Sequence, residues 1–218
     1  MIDLHTHSLF SDGVLIPAEL VQRAKAKGYE ALAITDHADR SNLDWIISRI
    51  VRFCEDFKKK NDFQVVPGIE LTHVAPETIF PLTQEARKLG AKLVVVHGET
   101  IVEPVQPGTN RAALEAGVDI LAHPGLISKT EVLLAKEKGI LLEISSRKGH
   151  CLTNGHVAKL ARDVGALLIL NTDAHAPEDL IDPTQALRVV LGAGLSEADW
   201  EKMKNNTRNL LGKIFSKK

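Results

Sequence analysis

Cysteine is nearly absent from this chain: only Cys54 and Cys151 occur, far apart and in no CxxC pair. That excludes a disulfide-stapled scaffold and a thiolate zinc site, and it fits inert thiols in a reducing compartment. Aromatic residues make up 4% of the sequence, too few for the stacking platforms that hold single-stranded nucleic acid. Trp45 and Trp200 fall in helical stretches and read as packing residues. Neither sign of charge dominates. Lys and Arg number 27 against 28 Asp and Glu, a net charge of −1, so no general attraction to nucleic acid or a membrane is built in. The short basic runs Lys58–Lys60 and Lys217–Lys218 read as solvated ends. Long apolar runs are missing too: Leu93–Val96 and Ala166–Leu170 are far shorter than the roughly 18 residues of a membrane span. The chain enters a strand-like segment at Ile2, which leaves no room for a secretory leader and leads us to expect a cytoplasmic protein.

What is present is a rhythm. Short apolar runs at Ile2–His5, Ala31–Thr35, Gln64–Glu70, Lys92–His97, Ile120–His123, Leu141–Ile144 and Leu167–Asn171 predict seven strands. Helical periodicity covers Pro17–Lys27, Leu43–Lys58, Ile79–Leu89, Arg111–Ala116, Lys129–Lys138 and Gly155–Asp163. Pro183–Leu191, Ser196–Lys204 and Thr207–Leu211 predict three more helices, while His73–Pro81, with two prolines and no period, predicts a loop. Alternating strands and helices imply parallel strands with right-handed crossovers. With no GxGxxG turn, seven such strands favour a closed barrel over an open dinucleotide-binding sheet. No low-complexity linker interrupts the series, so residues 1–218 read as a single domain.

Polar residues that a buried strand should avoid stand at the C-terminal ends of these strands. They are His5 and His7, Asp36 and His37 in ITDH, Glu70 in PGIEL, His97 in VVVHGE, His123 in LAHPG, Glu143 in LLEIS, and Asp173 and His175 in NTDAH. Each alone has a local reading, as a satisfied core histidine, a helix cap or a turn residue. Together they repeat at one end of the strands, the face on which a βα barrel carries its site. Of nine histidines, only His73, His150 and His156 fall outside the pattern. Burying so many polar groups without partners costs several kcal/mol each, and metal ions would supply the partners. Imidazoles and carboxylates are the ligand set of zinc, manganese or iron, not of calcium. So many ligands imply more than one ion, and Glu70, on the third strand, is the best-placed bridging carboxylate.

The order HTHSLFSDG, ITDH, PGIE, VVHGE, AHPG and NTDAH resembles the PHP family, named for polymerase and histidinol phosphatase, across residues 2–209 or so. The resemblance implies an α/β fold, a distorted (β/α)7 barrel that is TIM-barrel-like, with a trinuclear metal centre at the C-terminal face of the strands. Carried over by motif, His5, His7, Glu70 and Asp173 would hold one ion, and Glu70, His97 and His123 a second, with Glu70 bridging. Asp12, His37 and His175 would hold the third. Some members carry histidine at the Asp12 position, and its harder oxygen ligand leaves the choice among zinc, manganese and iron open, with two to three divalent ions bound. The implied mechanism is metal-assisted phosphoester hydrolysis, with hydroxide attacking phosphorus and no side-chain nucleophile. No GxSxG or Cys/His pattern suggests one.

The stretch SSRKGHCLTNGH (residues 145–156) follows the sixth strand and should sit on the same rim. Arg147 and Lys148 are placed there to bind the substrate phosphate, Arg147 completing a catalytic set with Glu70 and Asp173. His73, His150 and His156 read as surface-loop residues, with proton donation to the leaving group the alternative, Glu99 as a rim residue and Glu143 as a local support. Asp36 reads as a partner orienting an imidazole. The expected function is hydrolysis of a small phosphomonoester, with L-histidinol phosphate the family's best-known substrate. The alternatives are a nuclease or nucleotide phosphoesterase, and a non-catalytic metal-stabilised module.

Overall fold

Alternation along each strand sorts the sequence into two hydrophobic layers. In a computed structural model that describes residues 1–58 and 63–216, strand β4 (Gln64–Leu71) turns Val65, Ile69 and Leu71 toward a shell of helices and Val66 toward the interior of the curved sheet. The interior also takes Ala31 and Ala33 of β2 (Ala31–Ile34), Leu93 and Val95 of β5 (Leu93–His97), and Ile169 of β8 (Leu168–Asn171). The remaining strands are β1 (Ile2–Asp3), β3 (His37–Ala38), β6 (Ile120–Ala122) and β7 (Leu141–Ser145). All pairings are parallel, in the order β1-β2-β4-β5-β6-β7-β8, as buried strands joined by helical crossovers require. The seven expected strands are present, and the short β3 is an eighth, pairing His37 with Glu70.

The sheet nearly closes on itself. Beyond β1 and β8 the chain forms a parallel bridge between Thr6 and Ala174, flanked by His7 N–H donating to Ala174 O (2.8 Å) and Asp173 N–H to His5 O (3.0 Å). The result is an α/β, TIM-barrel-like fold with eight helices among the described residues: α1 (Pro17–Ala26), α2 (Leu43–Lys58), α3 (Pro76–Lys88), α4 (Thr109–Ala116), α5 (Lys129–Lys138), α6 (Asn154–Val164), α7 (Pro183–Gly192) and α8 (Glu197–Ser216). Helix α2 shows why they pack as they do. Leu43, Ile46, Ile47, Ile50 and Cys54 recur at helical spacing and are all buried, each aliphatic contributing about 1.5–3 kcal/mol relative to exposure. Helix α5 starts at a capping box, in which Glu131 N–H donates to Ser128 Oγ and Ser128 N–H to Glu131 Oε2.

Two expectations need correction. The segment His73–Pro81 is not all loop: α3 begins at Pro76, whose fixed φ suits a first helical turn, and continues through Pro81. The two helices expected at Ser196–Lys204 and Thr207–Leu211 are one, α8. Its polar middle is held by Asn206 Nδ2 donating to Leu168 O and Thr207 Oγ1 to Met203 O, while Leu210, Leu211 and Ile214 close the bottom of the barrel interior. No helix of the described residues is long and apolar enough to cross a membrane. The basic runs at 58–60 and 217–218 lie outside the described residues, apart from the helical backbone of Lys58.

Candidate metal centre

The strand parity that fills the barrel also builds the site. Two residues above an inward Val95 comes His97, two above Ile169 comes Asn171, and four above Val66 comes Glu70. The apolar floor thus changes into a polar ceiling within one strand. His5, His7, Glu70, His97, His123, Asp173 and His175 are all buried, and Asp12 and His37 stand at the entrance. All nine expected ligand residues converge here, at the C-terminal ends of the strands.

Two of the three expected groupings are drawn together. Glu70 Oε1 stands 3.2 Å from His5 Nε2, and Asp173 Oδ1 stands 3.0 Å from His7 Nε2 and 3.6 Å from His5 Nε2. Asp12 Oδ1 lies 3.2 Å from His175 Nε2 and 3.4 Å from His37 Nε2, with His7 completing a four-residue cluster. The third grouping is only partly formed. His123 Nε2 is 3.7 Å from Glu70 Oε1, but among the described residues the carboxylate within 4.0 Å of His97 is that of Glu103 (3.0 Å), not Glu70.

Backbone geometry serves the same end. Outside glycine, positive φ occurs among the described residues at His73 (53°), His123 (24°) and Asp173 (54°), a conformation costing roughly 1–3 kcal/mol each and found where a site over-determines the backbone. Gly125, just past His123, also has positive φ (61°), and a Cβ there would lie 1.7 Å from Glu99 O, so the AHPG turn admits only glycine.

The residues present fit metal ions on one observation. His5 Nε2, both ring nitrogens of His7, Glu70 Oε1, His97 Nδ1, His123 Nδ1 and Asp173 Oδ1 are buried without a hydrogen-bond partner. An unpaired buried polar atom costs about 1–3 kcal/mol, and a cation is the partner that lone pairs from imidazole and carboxylate share. Charge is arranged to match. Burial, joined by the neighbouring imidazoles His37 and His175, holds His7 well below the usual histidine range; burial with His97 and His150 does the same to His123. Both are therefore neutral, as ligands must be. Burial raises Asp173 to about 7, whereas Glu70, in spite of burial, is held well below its usual value by His5 and His37. Two carboxylates in one site thus share a charge unequally.

Around the candidate ligands several expectations are refined. Glu143 Oε2 lies 2.7 Å from His5 Nδ1 and accepts from Asn171 Nδ2 (2.8 Å), the supporting role expected of it. Asp36 does not orient an imidazole: it accepts from the backbone N–H and hydroxyls of Ser8 and Ser11, fixing the loop that carries Asp12. Glu99 is not a bare rim residue, since Oε1 accepts from Gly108 N–H and Asn110 N–H at the start of α4. Arg147 lines the cavity over the site, its guanidinium donating to Asp173 O (3.2 Å) with Asp179 3.5 Å away. Its neighbour Lys148 is exposed and does not line that cavity, because successive residues past β7 diverge. His156 is turned away, paired with Ile127 O.

Two residues were not legible. His150 is buried rather than on a surface loop: Nδ1 pairs with Thr100 Oγ1 (2.8 Å), its ring stacks on His123 at 4.0 Å, and it lines the cavity. Glu103 stands in an aperiodic loop, and nothing in its local sequence announces that it reaches His73, His97 and His150. The cavity itself is small, about 170 Å³, and lined mainly by histidines, acids and Arg147.

Comparisons with known proteins agree with this picture. The family model described as the PHP domain matches residues 3–161. An uncharacterised protein of Methanocaldococcus jannaschii is 52% identical over 201 residues, covering 91% of this chain and 92% of its own length. A protein of Thermoanaerobacter sp. named as a probable phosphatase is 28% identical, over 90% of this chain and 88% of its own. In structure, a chain of archaeal ribonuclease P with mature tRNA superposes with a TM-score of 0.73 at 17% identity, covering 98% of this chain and 91% of that one, a likeness of fold.

Proposed function

Because this chain belongs to the PHP domain family, we propose that it is a metal-dependent phosphoesterase that hydrolyses a phosphomonoester borne by a small molecule. The observation that carries the reading is the set of buried ligand atoms without partners, gathered from five strand ends. Divalent ions of the zinc, manganese or iron class would supply a water activated to a pKa of about 7 and would neutralise charge on the phosphoryl oxygens. His5, His7, Glu70 and Asp173 would hold them on one side, and Asp12, His37 and His175 on the other.

The chain's own residues supply the rest. Arg147 lines the cavity with Nη1 held by Asp173 O and Asp179 and Nε 3.6 Å from Asp173 Oδ2, and the two N–H donors of Nη2 would suit it to bind non-reacting phosphate oxygens. The cavity, about 170 Å³, is large enough for a phosphoryl group beside the candidate ligands. The probable phosphatase among the relatives supports the monoesterase reading, and L-histidinol phosphate is the first substrate to try.

The test is a substrate panel. Protein stripped with chelator and reloaded with zinc or manganese is offered an aryl phosphate, L-histidinol phosphate, a nucleoside 3′,5′-bisphosphate and a short RNA. Metal-dependent turnover of the monoesters is expected. Turnover of RNA without any monoester would replace this reading by a nuclease, and no turnover with ions bound would leave a binding module.

A further inference from the structure

Half of the fourteen large apolar side chains exposed among the described residues stand in the loops that follow β1, β5, β6 and β7, on the face that carries the candidate site. Three of these loops pack on one another beside the cavity. Thr100 Oγ1 lies 2.8 Å from His150 Nδ1, a Cβ at Gly149 would touch Val102 at 3.4 Å, and the backbone at Gly125 is pressed against Glu99 O. At that junction Ile101, Val102, Leu126 and Leu152 are all exposed, Val102 by 45% and Leu152 by 67%. We propose that this apolar lip receives the alcohol body of the substrate, which makes the substrate a phosphomonoester of an alkyl or aryl alcohol rather than of a sugar or nucleoside.

Position comes first. Val102 is next to Glu103 and packs at Gly149, between Arg147 and His150, and those three neighbours all line the cavity. The lip is thus continuous with the place where a phosphoryl group would sit. No aliphatic side chain lines the cavity itself, about 170 Å³, so an apolar part of a substrate lies outside it, over the lip. The flank beside Asp12 has the opposite chemistry, a polar groove lined by Ser11, Asp39, Asn42 and Thr72.

The lip is also built in advance. Glu99 Oε1 accepts from Gly108 N–H and Asn110 N–H at one end of its longest loop, and Thr100 fastens the other end to His150. Pro104 and Pro107 restrict the backbone between them. Aliphatic groups held rigidly in water are a surface that a ligand covers at little ordering cost. The inference rests on the phosphoesterase reading above and names its substrate class.

The experiment compares two alkyl esters on manganese-loaded protein, hexyl phosphate and glycerol 3-phosphate. Each methylene buried is worth about fourfold in binding, so KM for hexyl phosphate should be at least tenfold lower. Val102→Asn and Leu152→Asn should each raise that KM about fivefold, leave KM for glycerol 3-phosphate within twofold, and leave thermal unfolding unchanged. Equal KM values in wild type, or variants that shift both esters alike, overturn the lip. A lower KM for glycerol 3-phosphate assigns the leaving group to the polar flank and overturns it too. So does a dimer seen by sedimentation that Val102→Asn dissolves with no change in either KM, since the lip is then an interface between copies. If neither ester is turned over, the phosphoesterase reading fails, and calorimetry with hexylphosphonate and methylphosphonate decides the lip. Hexylphosphonate bound at least tenfold more tightly, with the difference lost in Val102→Asn, keeps it; equal affinities overturn it.

Discussion

His5 Nδ1 lies 2.7 Å from Glu143 Oε2, and neither residue is exposed to solvent. The pairing puts the Nδ1 proton toward Glu143 and leaves Nε2 aimed at Glu70 Oε1, 3.2 Å away. In spite of burial, Glu143, Glu70 and Asp173 together hold His5 well above the ordinary histidine value, so an incoming ion must displace a proton. Glu143→Ala should therefore weaken metal binding at the site that includes His5 about 10–100-fold, read by competition with a chelator. An unchanged affinity would mean that His5 needs no such anchor.

Asp36 gathers four hydrogen bonds from Ser8 and Ser11 and so sets the position of Asp12. Asp36→Ala should destabilise the protein by about 2–4 kcal/mol in urea unfolding, since bonds to a carboxylate are worth about 1.5–3 kcal/mol each and some are replaced by water. It should also weaken metal binding at His37 and His175. Loss of stability with all ions retained at full affinity would confine Asp36 to a folding role.

Asp3 is fully buried beside Thr172, and burial raises its pKa from 3.8 to about 6 despite the hydrogen bonds it accepts. Between those values the native state holds a proton that the unfolded state has released. Stability of the metal-free chain should therefore fall as pH rises from about 4 to about 6, by up to about 3 kcal/mol from this group. Asp3→Asn removes the dependence, so its stability relative to wild type should improve between pH 4 and pH 7. A pH-independent difference between the two would refute the burial effect.

Cys54 is buried on the inner face of α2, and burial with the nearby Glu55 pushes its thiol up to about 12. Cys151 is partly exposed. A thiol reagent at pH 8 should accordingly modify one cysteine per native chain and two after denaturation. Cys54→Ser should leave the native count at one.

Much of this was written plainly in the sequence, and the reason is strand parity. Glu70 and His97 each end an apolar run and Asp173 follows one two residues beyond β8, so their convergence follows from where the strands of a barrel end. Helix α2 was equally plain because its apolar residues recur with full helical period. Parity and period fail in loops. Glu103 and His150 reach the site only because the 98–108 and 146–150 loops pack on each other, a tertiary fact with no local trace. Asp36 beside His37 looked like a histidine partner, yet its acceptors meet serines some 25 residues away. Pro76 did carry a start signal for α3, and the absence of apolar period around it hid that signal.

The join between β1 and β8 ties the candidate metal centre to both ends of the sheet. Leu4 N–H donates to Asn171 Oδ1 across 167 residues of chain, and Thr172 meets Asp3 beside it. The residues flanking that join are His5, His7, Asp173 and His175. A nascent or partly folded chain that has not yet brought its last strand home holds only fragments of the constellation. Because that closure joins distant parts of the chain at an entropic cost, any ion held by His5, His7, Asp173 and His175 together would need the ring complete, and its binding would report that the two ends have met.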